Sequence, residues 1–303
     1  MRALVTGGNG FLGHYIVKEL LKKDIAVVIF DIQKLDREDL NEAYNQNLKV
    51  IVGDVRDEKI LSEAMQDCDL VFHTAAIADI DEARRNPVKT LDINVIGTTK
   101  CLDVAKNAGV KRFIYASSVY TAGNKGSIYR ISKQAGEALC KTFHEEHGLD
   151  YTILRYGSLY GSESNSWNPI YTMCKALLTT GEFTYVSPPD SEREYIYIRD
   201  AARETASISV DPRYVNKTVM ITGHQRIKVR ELFSMIEEII GKEIKIHYIP
   251  NEAQFHYVMT PYSFEAEVPL RVSLSSYVDV SEGILDCLKA VQKELDETNK
   301  KQT

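Results

Sequence analysis

The sequence predicts an α/β protein: a doubly wound parallel sheet followed by a smaller C-terminal α+β domain. Three observations predict it. Short β-rich runs alternate with longer helical patterns through the first half of the chain. Several of those runs, "AVVIF" and "RFIYAS" among them, are apolar on both faces, as strands buried between two helical layers must be. The rhythm then breaks after Tyr156, where "GSESNSWNPIY" is polar and turn-rich.

In order, strands are expected at 3–6, 26–31, 49–53, 70–74, 112–117 and 152–155, and helices at 11–23, 58–66, 87–108 and 129–147. The predicted boundary puts residues 1–157 in the first domain and 158–303 in the second. The segment from about 193 to 211 is expected to pack back on the first.

The 303 residues carry 44% hydrophobic and 26% charged side chains, an ordinary globular composition. A formal charge of −6 argues against a general nucleic-acid or membrane-surface binder, so any phosphate-bearing ligand must be held by a few local cations and backbone amides. The five cysteines are scattered, with no C-x-x-C, which suits reduced thiols. "MRALVTGG" enters a strand pattern at once, leaving no room for a secretory leader. No apolar run approaches the roughly 20 residues that span a bilayer, so a cytoplasmic location is expected. No metal site is expected either. "HEEHG" at 144–148 brings its second histidine one residue early for a zinc helix, and the other histidines form no ligand spacing.

"LVTGGNGFLG" places Gly7, Gly10 and Gly13 between a strand and a helix. A tight turn needs residues that tolerate positive φ, and a side chain at the middle position would hold a pyrophosphate off the backbone. The helix N-terminus offers that anion free N–H groups and a partial positive charge. A plain strand-to-helix turn explains one glycine but not three at this spacing, so a Rossmann-like dinucleotide site is expected, with Phe11 and Leu12 in its helix start. Asp31 ends the second strand, where a carboxylate accepts from ribose hydroxyls and repels a 2′-phosphate, favouring NAD over NADP. Lys34 and Arg37 nearby pull the other way.

The loop spacing resembles the extended short-chain dehydrogenase/reductases, the family of sugar-nucleotide epimerases and dehydratases. Further segments fall in the family's order. "GDVRD" is similar to its adenine-contacting turn, which implies Asp54 and Val55 beside the base. "FHTAAIAD" resembles the segment lining pyrophosphate and ribose, carried by Ala75, Ala76 and Ile77. "INVIGTTK" implies Asn94 behind the cofactor. "FIYASSVYTAG", "YRISKQAGEAL" and "EREYIYIRDAA" match the catalytic strand, the Y-x-x-x-K helix and a C-terminal arginine segment. The resemblance covers 1 to about 202.

Tyr129 and Lys133 share one helix face. A free tyrosine has a pKa of about 10, too high for a base at neutral pH. A nearby ammonium and the positive ring of oxidised nicotinamide are expected to favour the phenolate. The resemblance implies that Lys133 also bonds the nicotinamide ribose, and that Ser118 holds the substrate hydroxyl and shares its proton with Tyr129. Ser117 is the alternative if the strand ends one residue earlier, and it and Tyr156 are counted among the cofactor contacts. Ser118 and Tyr129 are only 11 positions apart, joined by the short, glycine-bearing "VYTAGNKG", which implies a more open site or one completed from another subunit.

The family's 4,6-dehydratases carry Asp-Glu directly after the Ser/Thr, and its decarboxylases a Glu in the same turn. Val119 and Tyr120 stand here instead, and neither can protonate a leaving hydroxyl. By exclusion the reading is an NAD-dependent epimerase of a nucleotide-diphosphate sugar, most often acting at C4. A net dehydrogenase or reductase, or a dehydratase, is the alternative. Arg193 matches the arginine on the nucleotide diphosphate. Ser158 replaces the family's asparagine, while Trp167, Asn168 and Tyr171 are candidates for the base or sugar, or for lid packing. A homodimer is implied, through a four-helix bundle of 87–108 and 129–147.

Overall fold

The computed structural model describes residues 1–34, 46–164, 168–249, 270–274 and 276–302. Arg37 and Trp167 lie outside the described residues.

The chain runs β1 (Arg2–Thr6), α1 (Phe11–Lys22), β2 (Ala26–Asp31), β3 (Leu48–Val52), α2 (Glu58–Met65), β4 (Leu70–His73), α3 (Ile80–Arg85) and α4 (Pro87–Leu91). A π-helical turn, Asp92–Gly97, leads into α5 (Thr98–Asn107), and then come β5 (Arg112–Ser118), α6 (Ser127–His147) and β6 (Tyr151–Tyr156). The single helix expected at 87–108 is therefore interrupted by a wider turn in its middle, where Asn94 reaches across to another loop.

Alternation along the strands builds the two cores. Val27 and Ile29 of β2 face one side with Ala3 and Val5 of β1; Val28 and Phe30 face the other with Leu4. The first side is covered by α1, the second by α2, α5 and α6. A large apolar side chain contributes about 1.5–3 kcal/mol on full burial. A one-residue slip would exchange the two sets, so packing on both faces holds the register.

Among the described residues the sheet has eight strands, in the order β14 (Leu270–Arg271), β11 (Lys217–Ile221), β6, β5, β4, β1, β2 and β3, and every pairing is parallel. Between β6 and its neighbour β11 the chain forms β7 (Ser158–Tyr160), α7 (Pro169–Thr179), β8 (Glu182–Tyr185), β9 (Glu192–Arg193), β10 (Tyr195–Tyr197) and α8 (Ile198–Val210). It continues through β11 (Lys217–Ile221), β12 (Ile227–Lys228), α9 (Val229–Ile240), β13 (Lys245–Tyr248), β14 (Leu270–Arg271) and α10 (Val280–Gln302). The last two strands of the large sheet thus come from beyond residue 157. Helix α8 lies against α1 in the first core. A separate core joins α7, α9 and α10 with Tyr160, Tyr195 and Tyr197. No helix among the described residues is long and apolar enough to cross a membrane.

The strand order reverses at β1, which sits between β2 and β4. In open parallel sheets such a point leaves a crevice beyond the strand ends. The glycine loop and the loop after β4 both open there.

Candidate functional site

Gly7 has φ +69°, and a Cβ on it would lie 2.8 Å from the Ala75 nitrogen. A Cβ on Gly13 would lie 2.2 Å from the Gly7 carbonyl oxygen. Loop, helix and the 75–77 segment therefore approach backbone to backbone. Gly10 caps α1 without a side-chain oxygen, and the first turn carries no acid. The positive end of α1 is left to an outside anion. Of the next residues, Phe11 is buried in the core and Leu12 is half-buried against it. Asp31 accepts from the backbone of Asn9 and of Gln33, each at 3.0 Å, tying the loop to the end of β2. These residues fit a dinucleotide: an uncapped helix, a loop no Cβ fills, and a carboxylate at the neighbouring strand end.

Asp54 is committed to Arg56, which bonds both its oxygens at 2.9 and 2.6 Å and holds its carboxyl below the usual range. Val55 is buried and packs on Gly97 of the π-helical turn. Asn94 accepts from the Ile77 N–H at 2.8 Å and donates to the Ile77 carbonyl and to Ser132. Its amide is spent on holding the loop that carries Ala75, Ala76 and Ile77. Ser132, which donates to the Tyr129 carbonyl at 2.8 Å, went unnoticed in the sequence. His73 of the "FHTAAIAD" segment is buried between Thr6 and Thr98, and burial pushes it down to about 3.

The SIYRISK stretch opens α6, and Tyr129 and Lys133 are both buried on its inner face. Ser118, the last residue of β5, hydrogen-bonds the Tyr129 phenol. Lys133 Nζ donates to the Ala116 carbonyl at 2.7 Å and lies 5.9 Å from the Tyr129 ring centroid. Burial pushes Tyr129 up to about 12, with the Ser118 bond opposing, and pushes Lys133 down to about 8, with Glu137 opposing. The tyrosine is raised because desolvation outweighs an ammonium turned toward the Ala116 carbonyl; the lowering expected from lysine and oxidised nicotinamide together belongs to the NAD-bound site.

Strand parity sets the direction of two further side chains. Ser117 and Arg155 are register partners on the α6 side of β5 and β6, and both bond Glu137. The Ser117 hydroxyl, expected as the alternative to Ser118 and as a cofactor contact, is therefore turned to Glu137 instead. Tyr156 has the opposite parity, so its ring packs under α8 and its hydroxyl meets Thr205 at 2.6 Å. Neither side chain is presented to the crevice.

On the C-terminal side, Asn168 turns inward as the N-cap of α7, accepting from Ile170 and Tyr171 and donating to Leu159. It is 1% exposed, and its side chain is used as a helix cap. Tyr171 bonds Glu294 of α10. The Ser158 N–H donates to the Glu194 carbonyl. Arg193 is buried in β9 and donates to the Glu192 carbonyl, while its neighbour Glu194 binds Arg226 and Arg271. Neither of those two arginines was singled out in the sequence, for nothing in their spacing marks them. The loop at 119–126 folds back onto α6: Gln134 donates to the Thr121 carbonyl, Arg130 to that of Gly123, and the Tyr120 ring stands edge-on to Tyr129.

The chain is similar to known proteins over most of its length. A putative UDP-glucose 4-epimerase of Methanocaldococcus jannaschii is 29% identical over 78% of this chain and 82% of its own. A UDP-N-acetyl-alpha-D-glucosaminuronate decarboxylase of Bacillus cytotoxicus is 26% identical over 89% and 88%. The structure of the Thermotoga maritima UDP-glucose 4-epimerase with UDP-glucose superposes with a TM-score of 0.81 at 23% identity, covering 97% of this chain and 100% of that one. The model of the NAD dependent epimerase/dehydratase family matches residues 3–213, and it is to this family of extended short-chain dehydrogenase/reductases that the chain belongs.

Proposed function

We propose that this chain is an NAD-dependent epimerase of a nucleotide-diphosphate sugar, acting at C4 through a transient 4-keto sugar. The observation that carries the reading is the Ser118 hydroxyl bonded to the Tyr129 phenol, with Lys133 one turn further along the same helix face. Gly7, Gly10, Gly13, Asp31 and the 75–77 loop would hold NAD, which when bound supplies a reversible hydride acceptor.

Tyr129 takes the proton of the sugar hydroxyl as the carbon is oxidised and gives it back afterwards. Ser118 orients that hydroxyl and keeps the phenol in line. Lys133 supplies the positive charge that a phenolate needs, together with the oxidised ring. Arg193 is assigned to the diphosphate. Epimerisation asks for nothing further, because the ketone need only present its other face. Elimination of water would need a second acid, and in the turn after Ser118 stand Val119, buried against Met220, and Tyr120.

The reading includes a cytoplasmic homodimer. Val88, Leu91, Ile96 and Ile131 are exposed apolar side chains on α4, the π-helical turn and α6, whose helices pack together. A second copy would cover them as a four-helix bundle.

Proton NMR of the purified protein with UDP-, dTDP-, GDP- and CDP-sugars and no added NAD tests the reaction. Interconverting C4 epimers are expected. A 4-keto-6-deoxy product, or turnover only with free NAD and accumulating NADH, would replace epimerase by dehydratase or dehydrogenase.

A further inference from the structure

Lys133 is a cation nearly without water, 5% exposed. Its ammonium touches the Ala116 carbonyl and lies 5.1 Å from the Tyr115 ring centroid. Carbonyl and ring faces carry only partial charge. A buried ammonium without a full counter-charge tends to lose its proton.

Each element packed around it contributes titratable groups. From β4 comes His73, neutral because burial pushes it down to about 3. From β5 comes Tyr115, and from α6 Tyr129 and Cys140; burial pushes all three up, so they keep their protons at neutral pH. What remains is Glu137, four residues beyond Lys133 on α6, whose charge supports the ammonium. Glu137 is itself 5% exposed and held at three points. Ser117 Oγ donates to Oε1 at 2.5 Å, and Arg155 donates through Nε to Oε1 at 2.9 Å and through an outer nitrogen to Oε2 at 2.8 Å. Such bidentate geometry fixes a carboxylate in both place and orientation.

We propose that Glu137, locked by Ser117 and Arg155, is a positioning residue that keeps Lys133 charged inside the core, so that an ammonium and not an amine stands one helical turn from Tyr129. What Lys133 then does rests on the function proposed above; its charge state does not. Arg155 acts with two signs. It holds the carboxylate in place, and its own charge cancels part of what Lys133 feels.

Carbon-13 NMR of ε-labelled lysine in the cofactor-free chain, titrated from about pH 6 to 11, reads the charge directly. Loss of the signal in Lys133→Met assigns it. Glu137→Gln is expected to move the Lys133 midpoint down from about 8 by about one unit. Arg155→Met is expected to move it up, because Glu137 is left with Lys133 as its counter-charge. A part played only in packing would loosen the core in both variants, admit water and raise both midpoints. An upward shift or none in Glu137→Gln therefore overturns the proposal. Should a single variant not fold, the double variant Glu137→Gln, Arg155→Met removes the pair without stranding a charge. Its midpoint is expected below that of the wild type, and an unchanged or raised one overturns the proposal equally. No sugar enters the titration, so failure of the epimerase reading and failure of this one are distinct results.

Discussion

The side-chain amide of Asn94 closes on both backbone groups of Ile77, accepting from its N–H at 2.8 Å and donating to its carbonyl at 2.9 Å. The same amide donates to Ser132 at 3.0 Å, and so binds the loop after β4 to the helix of Tyr129 and Lys133. Asn94→Ala leaves buried backbone groups unpaired, at a cost of about 1–3 kcal/mol. A lower melting temperature is expected, with NAD affinity weakened about tenfold in calorimetric titration, equivalent to about 1.4 kcal/mol. Wild-type NAD affinity in a folded variant would separate this clamp from the cofactor.

Tyr129→Phe removes one oxygen beside Ser118 and leaves the ring among Ile77, Ile80 and Tyr120. Turnover should fall about 10²–10⁴-fold, as for loss of a general acid–base, while NAD binding and melting temperature stay close to wild type. Turnover within tenfold of wild type would remove Tyr129 from proton transfer.

Burial of Lys133 makes stability depend on pH. Its folded pKa, about 8, lies below the unfolded value of 10.5. Between these the unfolded chain holds the Lys133 proton more tightly, so the contribution of Lys133 to stability rises with pH through that window. The rise from pH 8 to 10 is about 2–3 kcal/mol at about 1.4 kcal/mol per unit. The buried cysteines from about pH 9 and Tyr129 from about pH 10, all raised by burial, work in the opposite sense in both chains alike, so only the difference between the chains up to pH 10 isolates Lys133. Urea unfolding of wild type against Lys133→Met should show the wild type gaining on the variant from pH 8 to 10. A constant difference would mean that Lys133 is not desolvated in solution.

Val88 is 80% exposed and Ile131 45%. If a second copy covers them, Val88→Asp with Ile131→Asp places two charges in an apolar interface and should turn a dimer into a folded monomer by light scattering. A wild type that is already monomeric at micromolar concentration would refute the bundle directly.

Most of the large sheet was legible because its signals are local. Two-sided apolar runs mark buried strands, and the six expected strands all appear within a residue or so of their predicted ends. The glycine loop was legible for the same reason, since positive φ and close backbone approach both call for glycine. The interruption at Asp92–Gly97 was not, because nothing in "DINVIG" signals a wider helical turn. The strands at Lys217–Ile221 and Leu270–Arg271 lie far along the chain from β6, and their pairing depends on chain closure that no local pattern encodes.

The sequence by itself determined the family, the doubly wound sheet, the glycine loop and the Tyr129–Lys133 face, for each is a matter of spacing within one or two elements. Only the tertiary structure turned Ser117 to Glu137, because that depends on which side of β5 meets α6. It alone turned Tyr156 and Asn168 inward, to Thr205 and to the start of α7. It also placed Glu137 within reach of both Ser117 and Arg155, 20 and 18 residues away in the chain. Charge state followed from the same cause. Burial, which no spacing reveals, raised the tyrosine and lowered the lysine.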